Sequence, residues 1–183
     1  MRLTHVLTIA GSDSGGGAGI QADIKTISAL GGFAMSAITA LTAQNTYEVR
    51  SIHPVPESII TDQISAVAED LGIDAAKTGM LATPAIIHTV ADSIERHHIQ
   101  PLVVDPVMVS TSGACLLAPD AIGALIARLL PLADLVTPNI PEAELLLGHR
   151  VTEATLSSSA RELGQRFQVR AVLLKGGHLN TNE

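Results

Sequence analysis

The chain has 183 residues, of which 46% are apolar and only 2% aromatic, and its formal net charge is −7. This length suits one domain with a substantial core and is too short for two comfortable domains. The negative charge, with no basic run to offset it, argues against nucleic-acid or anionic-membrane partners.

The cellular compartment is indicated by the cysteine count and by the lack of targeting or spanning segments. Cys115 is the single cysteine and cannot form an internal disulfide, so a reducing compartment is expected. The apolar opening at residues 1–10 is too short for a signal peptide and contains an arginine and a histidine. No stretch approaches the roughly 18 apolar residues that a membrane helix needs. We therefore expect a soluble, cytoplasmic protein.

Short apolar runs alternate along the chain with longer segments of helical periodicity. After the first run, for example, Ile20, Ile24 and Ile27 recur at helical spacing, and Gly31-Gly32 end that helix. In chain order, the predicted elements are a strand at 3–10, this helix, strands at 33–41 and 48–53, a helix at 56–71, a strand at 74–77, a helix at 83–97, a strand at 102–104, a helix at 119–130, a strand at 135–137, helices at 141–147 and 152–167, and a strand at 170–175.

This alternation predicts an α/β fold in which a mostly parallel central sheet has helices on both faces and right-handed crossovers. No repeat, low-complexity tract or linker interrupts it, so residues 1–183 are predicted to form a single domain. The last predicted strand is not followed by a helix that could cover it, although strands in such folds normally are. We therefore expect the domain to be incomplete at its C-terminal end.

Ligands of open α/β sheets bind beyond the carboxyl ends of the strands, so polar residues at those positions are the candidate site residues. The first strand is followed by a glycine-rich segment, residues 11–19, that opens directly into a helix. It matches neither a P-loop nor the dinucleotide-binding glycine pattern, and Asp13 would repel a phosphate there. Asp13 and Asp23 are better suited to amine or hydroxyl donors of a neutral ligand. The alternative is a tight turn that binds nothing.

Gln44 and Met80 follow two other predicted strands and suit a flat heteroaromatic ligand. The amide of Gln44 offers a donor and an acceptor side by side, which match the ring nitrogen and amino group of an aminopyrimidine. The polarisable sulfur of Met80 could cap such a ring. The alternatives are a turn role for Gln44 and core packing for Met80.

Three oxygen-bearing residues, Asp105, Asn139 and Glu142, follow the strands at 102–104 and 135–137. A carboxylate at the tip of a buried strand is costly unless it is paired or coordinated. Together the three would supply hard oxygen ligands, direct or through water, for a magnesium ion that carries nucleotide phosphates. Alternatively, Asp105 forms a turn and the segment 139–142 caps a helix.

Lys175, followed by two glycines, combines a positive charge with open backbone amides, which suits nucleotide phosphates, although a plain turn is the alternative. Cys115 is interpreted as a small buried hydrophobe rather than a nucleophile. The seven histidines show no metal-ligand spacing.

Taken together and in this order, these motifs resemble the hydroxymethylpyrimidine/phosphomethylpyrimidine kinases of thiamine biosynthesis, which have a ribokinase-like fold. The resemblance covers essentially the whole chain. It is carried by AGSDSGGGAGIQADIKT (residues 10–26), TALTAQNT (39–46), KTGML (77–81), VVDPVMVSTSG (103–113), TPNIPEAELL (137–146) and LLKGGH (173–178).

The resemblance implies a ribokinase-like three-layer α/β/α domain that phosphorylates a hydroxymethylpyrimidine, and then its monophosphate, with ATP and Mg²⁺. It implies a homodimer as well. By the same analogy, the pyrimidine pocket is lined by Gly11, Asp23, Gln44, Met80 and Val107. Magnesium and phosphate would be organised by Asp105, Asn139 and Glu142, with Asp105 and Glu142 toward the metal, and Lys175 would contact ATP.

The chain departs from the family pattern at one motif. The family continues to a Gly-Thr-Gly-Cys motif that forms the anion hole for the transferred phosphoryl group, and this sequence contains no such motif, so no catalytic residue is identified. Two rival hypotheses follow: a pyridoxal-type kinase of the same fold, and a non-catalytic pyrimidine-binding fragment. A nicotinamide-dependent dehydrogenase is disfavoured by the glycine spacing and by Asp13.

Overall fold

The structure, a computed structural model, describes residues 2–108, 117–118 and 120–177. The strands are β1 (His5–Asp13), β2 (Phe33–Gln44), β3 (Val49–Pro54), β4 (Ala75–Thr78), β5 (Leu102–Val104), β6 (Leu135–Val136) and β7 (Ala171–Val172). The helices are α1 (Gly19–Ala29), α2 (Glu57–Asp70), α3 (Pro84–Arg96), α4 (Ala121–Ala124), α5 (Ile140–Leu147) and α6 (Leu156–Phe167).

The strands form one seven-stranded sheet in the order β3-β2-β1-β4-β5-β6-β7. Each neighbouring pair is parallel except β2 and β3, which are antiparallel and adjacent in the chain. Helices separate the parallel strands along the chain because a parallel partner requires a crossover back to the starting edge. The prediction of a mostly parallel α/β sheet is confirmed.

Both faces of the sheet are covered. Leu7, Thr8, Ile9 and Ala10 are consecutive residues of β1 and all are completely buried. Since successive side chains of a strand point to opposite faces, this run requires packing on both sides of the sheet. The core continues into the helices, where α2 and α3 supply an isoleucine-rich group: Ile60, Ile64, Ile86, Ile87 and Ile94.

The direction in which the sheet grows reverses at β1. The chain first adds β2 on one side of β1, and after β3 and α2 it adds β4 on the other side. The connections on the two sides of β1 therefore diverge and leave a crevice at the carboxyl ends of β1 and β4. Such a switch point is the usual ligand position in open α/β sheets.

Two elements differ from their predicted form. β1 extends to Asp13 rather than ending at residue 10, because Ser12 and Asp13 continue to pair with Leu41 and Thr42 after a register shift. In the region of the predicted helix 119–130, α4 is followed by π-helical Leu125–Leu129 and a 3₁₀ turn, Leu130–Leu132. Pro131 has no backbone N–H and so cannot donate a helical hydrogen bond, which favours the end of the helix here.

The remaining helices and strands agree with their predicted positions to within a few residues, except that 3₁₀ Glu153–Thr155 precedes α6 and that β7 is short. Pairing nevertheless continues beyond β7, through an isolated parallel bridge between Asn139 and Lys175. Within the described ranges, the helices are too short or too polar to cross a lipid bilayer.

Candidate active site

A cavity of about 320 Å³ lies at the carboxyl ends of the strands. Its lining includes every residue that the sequence predicted to bind ligand: Gly11, Asp23, Gln44, Met80, Val107, Asp105, Asn139, Glu142 and Lys175. Apart from Asp23, which lies in α1, these residues lie near or beyond the carboxyl ends of β2, β1, β4, β5, β6 and β7. Residues predicted for the pyrimidine therefore lie mainly around β1, β2 and β4, and those predicted for phosphate and metal around β5, β6 and β7. Their individual roles stay predictions.

The loop between β1 and α1 is organised by Asp13, which is almost fully buried. Its carboxylate accepts backbone N–H bonds from Gly15 at 2.8 Å, Gly17 at 2.9 Å and Ala18 at 2.8 Å. These three N–H groups belong to the loop and precede Gly19, the first residue of α1. These contacts make Asp13 an organiser of the loop.

Two glycines let backbone and side chains approach closely at the crevice. Gly19 has φ of +56°, and a Cβ atom on it would collide with the carbonyl oxygen of Gly11. A Cβ atom on Gly11 would lie 2.6 Å from Cε of Met80. The side chain of Met80 therefore packs over bare backbone of β1, and it is both largely buried and part of the cavity wall. Core packing therefore does not exclude a contact between Met80 and a ligand, which stays a prediction.

Gln44 stands at the end of β2 with its backbone fixed on both sides. Its N–H donates to Oγ of Ser14 at 2.8 Å, and the Ser14 hydroxyl donates to its carbonyl at 2.7 Å. The side-chain Oε1 lies 3.3 Å from the Thr42 hydroxyl, whose single proton has a closer acceptor in the Ser12 carbonyl at 3.0 Å. Among the described residues, no hydrogen bond engages its side-chain NH₂ group, so this donor is available to a ligand.

Asp23 projects from α1 toward β1 and β4. Its Oδ2 atom accepts from the Thr8 hydroxyl at 2.6 Å and from Nζ of Lys77 at 3.0 Å. No described residue hydrogen-bonds to Oδ1. The carboxylate is therefore held through one oxygen, and the other remains free to accept from a ligand.

Asp105 follows β5 and lies between two lysines. Its Oδ1 accepts from Nζ of Lys175 at 2.9 Å, and its Oδ2 lies 4.0 Å from Nζ of Lys77. The backbone positions the residue as well, since the Asp105 N–H donates to the carbonyl of Thr78 at 3.1 Å. Asp105 is therefore paired with a cation, as a carboxylate at the tip of a buried strand requires.

Asn139 and Glu142 form a capping box at the start of α5. The Glu142 N–H donates to Oδ1 of Asn139 at 2.9 Å, and the Asn139 N–H donates to Oε2 of Glu142 at 2.8 Å. The predicted capping role is therefore present. Both residues line the cavity as well, so capping and ligand binding do not exclude each other.

Burial raises the pKa of Glu142 above its ordinary value near 4.5, and the negative charge of Asp105 raises it further. Hydrogen bonds from the Asn139 and Met108 backbones and the charge of Lys175 act in the opposite direction but do not outweigh burial. The charged form of Glu142 is therefore disfavoured unless a cation comes close.

The described residues contain no group of three or more His, Cys, Asp and Glu side chains that could hold a metal ion by themselves. Two carboxylates, Asp105 and Glu142, nevertheless line one cavity and repel each other. Mg²⁺ is commonly held by one or two carboxylates together with substrate phosphates and water. The residues present fit a magnesium ion that arrives with a nucleotide.

Sequence reasoning missed some residues of the cavity, of which Lys77 is the most informative. Thr8 was missed as well, although its hydroxyl fixes Asp23 from within β1. A signal for Lys77 was available, because a charged residue within a short buried strand needs a partner. Cys115 and His178 lie outside the described residues.

Comparison with solved structures defines the class of protein. The fold is similar to phosphomethylpyrimidine kinase from Clostridium difficile 630, with a TM-score of 0.86, 46% identity and coverage of 98% of this chain and 78% of that one. It is also similar to pyridoxal kinase from Staphylococcus aureus in complex with AMP-PCP and pyridoxal, with a TM-score of 0.84, 37% identity and coverage of 97% and 64%. The fold is thus that of the ribokinase-like small-molecule kinases.

The sequence comparisons identify the family. The phosphomethylpyrimidine kinase family model matches residues 13–183. Hydroxymethylpyrimidine/phosphomethylpyrimidine kinase of Mycobacterium bovis is 50% identical over 100% of this chain and 67% of that protein. A thiamine biosynthesis bifunctional protein of Geobacter sulfurreducens is 52% identical over 95% of this chain and 36% of its own length. The chain belongs to the phosphomethylpyrimidine kinase family, and it spans two thirds or less of the length of these relatives.

Proposed function

We propose that this protein uses ATP to phosphorylate 4-amino-5-hydroxymethyl-2-methylpyrimidine and then the resulting monophosphate, in thiamine diphosphate biosynthesis. The observation that carries the proposal is the single cavity that brings together an amide and a methionine on one side and carboxylates with a lysine on the other. Family membership and the names of the relatives agree with this activity.

On the pyrimidine side, the free NH₂ group of Gln44 would donate to a ring nitrogen while its Oε1 accepts from the amino group. Met80 would pack on the ring face, with Gly11 and Val107 completing the walls. Oδ1 of Asp23 would accept a hydrogen bond from the ligand. Each contact suits a neutral, flat heterocycle.

On the phosphate side, Lys175 would contact the nucleotide and Asn139 would maintain the position of Glu142. Asp105 and Glu142 would hold Mg²⁺, which neutralises charge on the nucleotide phosphates when bound. The substrate hydroxyl would attack the γ-phosphorus in line: the new O–P bond forms as the bond from the γ-phosphorus to the β–γ bridging oxygen breaks, ADP leaves with that electron pair, and the hydroxyl proton is released to water. Catalysis of this reaction depends mainly on positioning and charge stabilisation.

A pyridoxal-type activity is the second candidate, because the S. aureus pyridoxal kinase shares the fold at 37% identity. Its ligand is a hydroxymethyl heteroaromatic of similar size. Identity to the pyrimidine kinases is higher, at 46% for the C. difficile structure, which favours the pyrimidine.

The test compares the two ligands on the purified chain. Calorimetry measures binding of hydroxymethylpyrimidine and of pyridoxal, and mass spectrometry measures phosphoryl transfer from ATP with Mg²⁺. We expect tighter binding of the pyrimidine, and in Gln44→Ala a loss of about tenfold or more. Gln165→Ala, on the exposed side of α6, is the matched control.

The outcomes separate the hypotheses. Transfer to the pyrimidine supports the proposal, and preferential transfer to pyridoxal supports the second candidate. Binding of the pyrimidine without transfer favours a non-catalytic binding module, and no binding of either ligand refutes the proposed site.

Three further proposals concern the domain, the homodimer that the family resemblance implies, and the cytoplasmic location expected from the sequence. We propose that residues 1–183 belong to one kinase domain, since a single sheet contains all strands within the described ranges. A homodimer is tested by sedimentation, and a cytoplasmic location by fractionation of cells that produce the protein.

A further inference from the structure

Lys77 occupies an unusual position for a lysine. It lies within β4, where its backbone pairs in register with Thr8 of β1 and Val103 of β5, so its side chain rises from the centre of the sheet. That side chain is 28% exposed and reaches the cavity. The ammonium group lies beside Gly79, because a Cβ atom on that residue would be 3.4 Å from Nζ.

The ammonium group of Lys77 is shared unequally between two carboxylates. It donates to Oδ2 of Asp23 at 3.0 Å, and it lies 4.0 Å from Oδ2 of Asp105. Asp105 in turn accepts from Lys175 at 2.9 Å. Negative and positive charges thus alternate from Asp23 through Lys77 and Asp105 to Lys175, along the cavity from its β1 side to its β7 side.

The contacts at Asp23 explain what Lys77 does for the pyrimidine side. Thr8 and Lys77, which face each other across the β1–β4 pair, both donate to the same oxygen of Asp23. These two bonds fix the rotation of the carboxylate and leave Oδ1 free for a ligand. An acceptor held in place before binding loses less entropy when the ligand arrives.

The contact with Asp105 connects this arrangement to the metal side. A cation bound at Asp105 repels the ammonium group of Lys77 and reduces its attraction to that carboxylate. Lys77 then interacts more fully with Asp23, whose free oxygen becomes better fixed. Any such effect is reciprocal, because two ligands that share an intermediate group change each other's affinity by the same factor.

We infer that Lys77 is a positioning residue that couples the pyrimidine subsite at Asp23 to the magnesium–nucleotide subsite at Asp105. This inference rests on the proposed function, because it assumes that the two ligands bind at those ends of the cavity. It adds a residue with no assigned role and predicts a property of the whole site, namely that Mg·ADP and the pyrimidine bind cooperatively.

The experiment measures binding rather than turnover. Calorimetry gives the Kd of hydroxymethylpyrimidine with and without saturating Mg·ADP, and the Kd of Mg·ADP with and without the pyrimidine. In the unmodified chain we expect each ligand to tighten the other by about fivefold or more. In Lys77→Met we expect pyrimidine affinity to fall by about tenfold and the coupling factor to approach one.

Two further variants distinguish coupling from general damage. Lys77→Arg keeps the charge and is expected to recover part of the coupling. Arg161→Met removes a cation from the exposed surface of α6 and should change neither affinity. Asp23→Asn removes the preferred partner of Lys77, so the lysine interacts more with Asp105, and Mg·ADP affinity should fall even though Asp23 lies on the pyrimidine side.

Each outcome decides the inference. If the unmodified chain binds neither ligand, the proposed function fails with it. If the chain binds both ligands but Lys77→Met leaves affinities and coupling unchanged, only the role of Lys77 fails. Should Lys77→Met not fold, Asp23→Asn decides, and unchanged Mg·ADP affinity in that variant overturns the inference.

Discussion

Glu142 has two roles, helix capping and proposed magnesium binding, which differ in whether its carboxyl group must be charged. As part of the capping box, it accepts the Asn139 N–H at 2.8 Å, which a neutral side-chain oxygen could also do. As a proposed magnesium ligand, it must be ionised. Burial and Asp105 raise its pKa above the ordinary value near 4.5, so the charged form that the metal requires is the form that the fold disfavours.

The raised pKa determines how Glu142 affects stability as the pH changes. The folded chain binds this proton more tightly than the unfolded chain does. The stabilisation is therefore complete below about pH 4.5 and is lost as the pH rises through the raised folded-state pKa.

Glu142→Gln should separate the two roles. The glutamine amide keeps a capping oxygen without the buried charge, so we expect a melting temperature at pH 7.5 equal to or above that of the unmodified chain. Mg·ADP affinity should fall by about tenfold or more, as for loss of a metal-site group. Thermal unfolding and calorimetry measure the two effects, with Glu69→Gln on the exposed side of α2 as the control. A less stable variant with unchanged Mg·ADP affinity would contradict both expectations.

The glycine-rich loop between β1 and α1 has two positions at which other atoms lie too close to leave room for a side chain. A side chain on Gly11 would meet the flexible end of Met80, whereas one on Gly19 would meet the backbone of Gly11. The end of a side chain can move by itself, whereas a backbone carbonyl moves only with the neighbouring chain. The same loop is closed by Asp13, whose carboxylate binds three backbone N–H groups.

Alanine substitutions at these glycines should therefore differ. Gly11→Ala should displace Met80 toward the cavity, with a modest loss of stability of about 1 kcal/mol and a roughly tenfold weaker pyrimidine affinity. Gly19→Ala should lose about 1–3 kcal/mol or more, because its φ of +56° and the collision with backbone both oppose a side chain. Gly123→Ala, where nothing lies within 4 Å, should be neutral or slightly stabilising. Denaturant unfolding and calorimetry compare them, and equal losses at all three positions would refute this account.

At the scale of the whole molecule, stability depends on the two layers of helices that cover the sheet. Neighbouring isoleucines of α2 show how sharply burial changes within one helix, since Ile60 is completely buried and Ile59 is 48% exposed. The buried residue belongs to the core that also contains α3 and β1.

Ile60→Ala should therefore lower the free energy of unfolding by about 2–5 kcal/mol, through lost burial and a residual cavity. Ile59→Ala should change it by no more than about 0.5 kcal/mol. Urea unfolding of both variants measures the difference. Similar effects at the two positions would mean that the packing of α2 on the sheet is not as described.

Local sequence patterns predicted much of the fold and the position of the candidate site. Alternating apolar runs and helical periodicity predicted the parallel sheet, because a short buried strand and an amphipathic helix have different periods. Polar residues directly after strands, such as Gln44 and Asp105, were expected at one edge because parallel strands all end there. The family motifs then indicated which of these polar residues to expect in the ligand-binding site.

Other features depended on contacts between distant parts of the chain. Thr8 and Lys77 both donate a hydrogen bond to the same oxygen of Asp23 because β1 and β4 pair in one particular register. Local sequence patterns do not specify that register. From its position in the sequence, Asp13 was expected to bind a ligand. In the structure, its carboxylate oxygens accept hydrogen bonds from backbone N–H groups of its own loop. The sequence by itself determined the order of elements and the edge at which polar side chains meet. Only the tertiary structure decided which charges pair, because pairing depends on distances of a few ångströms between strands far apart in the chain.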